Sequence, residues 1–210
     1  MLRSIIIDAI PLATAEFIQM LMHNIFIFAI FAVISLLISN HSYDRKNNNS
    51  DLPFCLSVVV GLTLILISDS SIITIKGLIL TLLLLYASIS DLKTRKVSDC
   101  ISIMILILAF VGFEVANLSS MLLGALVVFV PQFALAVISP SRAFGGADLK
   151  ISTALAFLLG SERGIFALIV GLFFAVIFMT IYNKANDKNK KESFPLVPFL
   201  SIGAMLAFII

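Results

Sequence analysis

Eight apolar stretches, each 12 to 23 residues long, divide the chain at about residues 17–39, 53–68, 72–89, 99–116, 119–139, 149–160, 163–182 and 195–210. Each ends in a polar cluster or in Gly and Pro, the pattern of helices that cross a bilayer and turn back. No polar stretch between them is long enough to fold alone. The pattern predicts an all-α, polytopic transmembrane helix bundle, with residues 1–210 forming a single integral membrane domain. With 60% hydrophobic and 12% charged residues and a mean hydropathy of +1.14, the composition lies outside the globular range. Arg3 followed by Asp8 and Glu16 does not make the basic region and cleavage site of a secretory signal, so no cleavage is expected.

One segment is too short. Twelve residues, 149–160, rise about 18 Å, against a hydrocarbon core of about 30 Å. Irregular backbone at membrane depth is tolerated where protein or water covers it. The segment is therefore expected to begin in a cavity or in the preceding loop, at Gly145 to Asp148.

The basic residues set the orientation. If all eight segments cross, loops 40–52, 90–98, 140–150 and 183–194 share one face and hold all of the 14 Lys and Arg residues except Arg3, Lys76 and Arg163. The positive-inside bias makes that face cytoplasmic and puts both termini outside. Six acids share those loops and Asp99 adjoins one, leaving a net of about +4 that suits anionic lipid headgroups rather than a basic peptide, so membrane lipids are expected partners.

Two acids on that face stand out. Asp91 lies at the cytoplasmic end of the third segment, and Asp148 opens the sixth. One helical hairpin separates them, which lets the two carboxylates meet across the bundle. Two such groups within a few ångströms share a proton, so one activates water while the other donates to a scissile carbonyl oxygen. Gly145 and Gly146 beside the second acid would give an extended substrate backbone close approach and allow unusual dihedrals. On helix-dipole grounds Asp148 is expected to hold the lower pKa and act first as base, with Asp91 as its protonated partner.

The bland readings are that Asp148 is a helix N-cap and Asp91 a solvated turn beside Lys93, Arg95 and Lys96. Lys150 could hold a carboxylate ionised, but it reads first as a headgroup contact. Asp69, Asp99 and Glu114 are expected to face water, His23 to hydrogen-bond within the bundle and His41 to lie in a loop. Pro131, Pro195 and Pro198 read as helix kinks. Other chemistries lack their parts: there is no HExxH, no GxSxG, no phosphate-binding glycine loop and no cysteine pair around Cys55 or Cys100. No cofactor, no metal and no nucleic acid is expected, and the oligomeric state is not legible.

The run "SISDLKTRKVSD" followed by "GGADLK" resembles the paired motifs of the type IV prepilin peptidases, intramembrane aspartyl proteases in which an Asp after one helix joins the Asp of a GxGD loop. The late "FPLVPFLSIGA" is similar to that family's Pro-containing last helix, so the resemblance spans about residues 70–210. It implies that Asp91 and Asp148 are the catalytic pair. It also implies a pilin-like precursor as substrate, with a short polar leader before a hydrophobic helix, cut on the cytoplasmic side of the inner membrane. The chain departs from the motif at Ala147, where a glycine is expected. Loop 40–52 has no cysteine, so the chain resembles the compact peptidase-only members and no methyltransferase activity is expected.

Two rivals use the same acids. A small proton- or cation-coupled transporter would place them as ion sites deep in the helices. A non-catalytic assembly subunit would tolerate changes at both.

Overall fold

The computed structural model describes residues 27, 29–38, 57–61, 64, 71–138, 145–186 and 194–210. Six helices carry the last two thirds of the chain: α1 (Ser71–Thr94), α2 (Asp99–Ala109), α3 (Leu118–Ile138), α4 (Gly146–Leu159), α5 (Ser161–Asn186) and α6 (Val197–Ile209). No strand occurs among the described residues, so the all-helical bundle is observed. Of the first two expected segments, the described residues hold the short apolar helix Ala29–Ile38 and residues 57–61 and 64, and the rest lies outside them. Loop 40–52, Arg142, His23, His41, Cys55 and Asp69 also lie outside them.

Among the described residues three stretches are long and apolar enough to cross a membrane: Ile72–Thr94, Val115–Ile138 and Ser161–Tyr182. The expectation for 99–116 needs correction. Ser98 caps α2, its Oγ accepting the Cys100 N–H at 3.3 Å, but the helix stops at Ala109. Beyond it Gly112 adopts φ 66°, a conformation that ends a helix. Eleven residues rise only about 16 Å, so α2 does not cross alone. The reverse happens in α1, which runs past the expected end at 89. Thr94 Oγ1 donates to the Ser90 carbonyl at 2.9 Å, and Arg95, at φ 54°, donates its backbone N–H to the Asp91 carbonyl at 2.9 Å. That left-handed cap places Asp91 in the last helical turn rather than in the loop.

Side-chain pairs give the helix directions. Lys76, early in α1, donates to the carbonyls of Ala109, the last residue of α2, and Val111 just beyond it, so α1 and α2 are antiparallel. Ser152, early in α4, meets Gln132, late in α3, while Ser161 after α4 meets Ser120 at the start of α3. Ser88, late in α1, shares a hydrogen bond with Ser201, early in α6. Phe178, late in α5, packs on Phe199, early in α6, and Arg163 reaches Ile210 at the opposite end. The ends of α1, α3 and α5 thus gather with the starts of α2, α4 and α6 at one end of the bundle.

Leu80, Leu84, Ile105, Ile151 and Val197 fill the centre, while large apolar side chains such as Ile107, Leu126, Phe173 and Val176 face outward. That inversion suits lipid as the outer solvent. Small residues then set the helix spacing, as packing rather than hydrophobic exclusion holds helices together in a bilayer. A Cβ on Gly203 would collide with the Ala167 carbonyl oxygen, and one on Gly124 would stand 2.7 Å from the carbonyl oxygens of Ala156 and Gly160. The α5–α6 and α3–α4 contacts are therefore backbone against backbone.

Pro131 lies inside α3, as the kink reading requires, whereas Pro198 occupies the first turn of α6 and Pro195 precedes it. Proline is accommodated at a helix start because no N–H is needed there. These two prolines therefore start the last helix rather than kink it.

Candidate active site

Asp91 is buried, at 6% exposure, at the C-terminal end of α1. A carboxylate there opposes the dipole of its own helix. What receives it belongs to another helix: the Val197 N–H, first in α6, donates to Asp91 Oδ2 at 3.0 Å, and the Leu196 N–H also interacts with the carboxylate. The N-terminus of α6 thus supplies the positive end that α1 lacks. The Arg95 charge, held by the left-handed cap one turn on, adds to it.

Asp148 is the third residue of α4, whose N-cap is Gly145. Its carboxylate reaches back to the Gly145 backbone N–H, the second half of a capping box whose first half a glycine cannot provide. Asp148 is therefore not itself the N-cap. Outside the three long spans and half-buried, it has a pKa pushed up to about 6, first by burial and then by the Asp91 charge, with the Gly145 N–H opposing. The helix-dipole ground for giving Asp148 the lower pKa of the pair does not hold, because burial and a like charge outweigh a helix end.

The two acids come from helices that do not pack directly. No Cα of α1 lies within 8 Å of one in α4, whereas α2 and α6 each touch both. The Asp91 charge nevertheless acts on Asp148, and α2 and α6 pack against both of the helices that carry the acids.

The glycines act differently from the expectation. Gly145 has φ −70° and ψ 140°, and Gly146 is helical, so neither adopts a conformation reserved for glycine. At Gly145 the requirement is space: a Cβ there would stand 2.9 Å from Asp148 Oδ2. Around Gly146 nothing lies within 4 Å of a Cβ, which leaves the backbone open beside the acid. Ala147 is an ordinary helical residue, and alanine is a better helix former than glycine. Its departure from the motif costs the backbone nothing.

Lys150 Nζ pairs with Asp99 Oδ2 at 2.7 Å, both side chains exposed, so the lysine is occupied on the α2 side and Asp99 is ion-paired rather than merely solvated. Among the described residues no group of three His, Cys, Asp or Glu could hold a metal. Sequence reasoning did not single out the Val197 N–H, Gln132 or Ser152. The signal for Gln132 was a lone amide inside "VVFVPQFALAV".

Residues 78–182, half the chain and including both acids, match the model of the type IV leader peptidase family. The chain belongs to that family. It is thus a peptidase of a membrane family, in keeping with its long apolar helices. No curated protein and no solved structure matches it in the corresponding searches. As a family member it carries Asp91 and Asp148 inside the matched region and Val197, which meets Asp91, beyond it.

Proposed function

We propose that this type IV leader peptidase family member is an intramembrane aspartic endopeptidase that removes the leader of pilin-like precursors at the cytoplasmic face of the inner membrane, with Asp91 and Asp148 as the catalytic pair. The observation that carries the reading is that the last turn of α1 and the first turn of α4 bring Asp91 and Asp148 to the same end of the bundle, near enough for the Asp91 charge to raise the Asp148 pKa. Coupled carboxyls that hold one proton between them are what acid–base hydrolysis of a peptide needs.

In the proposed cycle, water lies between the acids and the scissile carbonyl. Asp91, met by the Val197 and Leu196 N–H groups, takes a proton from the water as its oxygen attacks the carbonyl carbon. Asp148 gives its proton to the carbonyl oxygen, forming a neutral tetrahedral diol. Asp91 then protonates the departing amine, and a diol hydroxyl returns its proton to Asp148 as the C–N bond breaks. The pair ends as it began, one acid protonated and one ionised, and it titrates jointly.

The open backbone at Gly146 and the space kept by Gly145 leave room for an extended peptide beside Asp148. The basic cytoplasmic loops are assigned to lipid headgroups, and the precursor is recognised chiefly through its apolar helix. No methyltransferase activity is assigned. The transporter reading gains nothing from this geometry, since the acids lie at a helix end and a helix start rather than at mid-depth.

The test is reconstitution of the full chain in liposomes with a synthetic pilin-like precursor, the products being read by mass spectrometry. A single cut between leader and apolar helix supports the reading. Ion flux that depends on Asp91 with no cut would support the transporter.

A further inference from the structure

Gln132 is 3% exposed, within the apolar helix α3. Ser152 Oγ lies 2.8 Å from its Oε1 and 3.1 Å from the Leu149 carbonyl, while Gln132 Nε2 is buried without a hydrogen-bond partner. The serine hydroxyl has one hydrogen for two acceptors, so the carboxamide can stand either way round. In both orientations one polar atom meets Ser152 and the other is unmet. Such an atom is costly in a protein interior, so an amide retained there calls for a partner that arrives later.

Its place says what arrives. Ser152 follows Asp148 by four residues, which sets it on the same side of α4, about 6 Å deeper. The unmet atom lies within about 5 Å of the Ser152 hydroxyl, from the Ser152 contact and amide bond lengths. It therefore lies beside the turn of α4 that follows the acid, toward the bilayer. A precursor that enters as a helix has to unwind at the bond to be cut. Unwinding frees backbone N–H and C=O groups at a depth where no bulk water meets them. A carboxamide, with both a donor and an acceptor, matches either.

We propose that Gln132 is a substrate-binding residue whose carboxamide, held by Ser152, hydrogen-bonds the main chain of the precursor where it unwinds beside Asp148. This rests on the peptidase reading above.

The test uses the full chain in liposomes and precursor peptides carrying a single backbone ester or N-methyl amide, stepped through the residues around the cut. With wild type, one backbone position is expected to lower kcat/KM about 10-fold or more. Gln132→Leu is expected to lower kcat/KM for the unmodified peptide by a similar factor, and to be insensitive to the modification at that position. Its thermal stability should equal or exceed that of wild type, since the unmet polar atom is gone. Gln132→Met, which keeps the side chain long and unbranched, replaces it if leucine disturbs the packing. Ser152→Ala should lose part of the effect.

Equal sensitivity of wild type and Gln132 variants at every backbone position overturns the inference while leaving the peptidase intact. A loss of rate that only tracks a loss of stability overturns it too. If wild type cuts no precursor at all, the peptidase reading fails first and takes this one with it.

Discussion

Asp91 accepts the backbone N–H of Val197 at 3.0 Å, across 106 residues of sequence, so the last helix of the bundle begins at the carboxylate that ends the first long one. That bond ties the site to the α5–α6 contact. Anything that lifts α6 off α5 also withdraws the N–H from Asp91.

Gly203 is where that dependence is most exposed. Gly203→Val would drive a branched side chain into the Ala167 carbonyl. Overpacking of this kind costs about 1–3 kcal/mol. Thermal unfolding in detergent should show the loss, and precursor cleavage should fall with it.

Asp148 makes a pH prediction whose sign follows from its raised pKa. With a folded value of about 6 against an ordinary 3.8, the folded state holds more protons between those values, so stability falls as pH rises through that window. Above it the buried charge costs roughly 2–3 kcal/mol. Asp148→Asn should therefore raise the melting temperature at pH 7–8 and lose that advantage below about pH 4. A variant less stable than wild type at pH 8 would mean that the carboxylate is structurally required.

The coupling between the acids is open to direct titration. Asp91→Asn removes the charge that helps hold Asp148 up, so the Asp148 pKa should drop below about 6. Carbon-detected NMR of labelled aspartate would read it. An unchanged value would mean that the two carboxyls do not sense each other.

The neighbouring glycines should separate. Gly145→Ala places a Cβ 2.9 Å from Asp148 Oδ2 and should lower kcat about 10-fold with little effect on folding. Gly146→Ala meets nothing and should fold at least as well as wild type, gaining up to about 1 kcal/mol from helix propensity. Ala147→Gly, which restores the motif glycine, should lose a similar amount and gain no activity.

Much of this arrangement was legible in the sequence because bilayers impose blunt rules. Runs of apolar residues marked six of the helices now described, and a shared face for Asp91 and Asp148 followed from counting hairpins. Three features were not legible. The early end of α2 lies inside an apolar run, and only the backbone at Gly112 reveals it. The Val197 donor is a main-chain group with no side-chain signature, and the two prolines beside it read as kinks rather than as a helix start. The raised pKa of Asp148 depends on burial and on Asp91, both set by tertiary packing, so a dipole argument from position alone did not hold.

The most direct measurement is leader cleavage by the reconstituted full chain with Asp91→Asn and Asp148→Asn, each shown to be folded in the membrane. Paired-acid catalysis predicts that wild type cuts and that either substitution lowers kcat by at least about 1,000-fold, since the two carboxyls act as one unit. A variant at either position that cuts at the wild-type rate would contradict it.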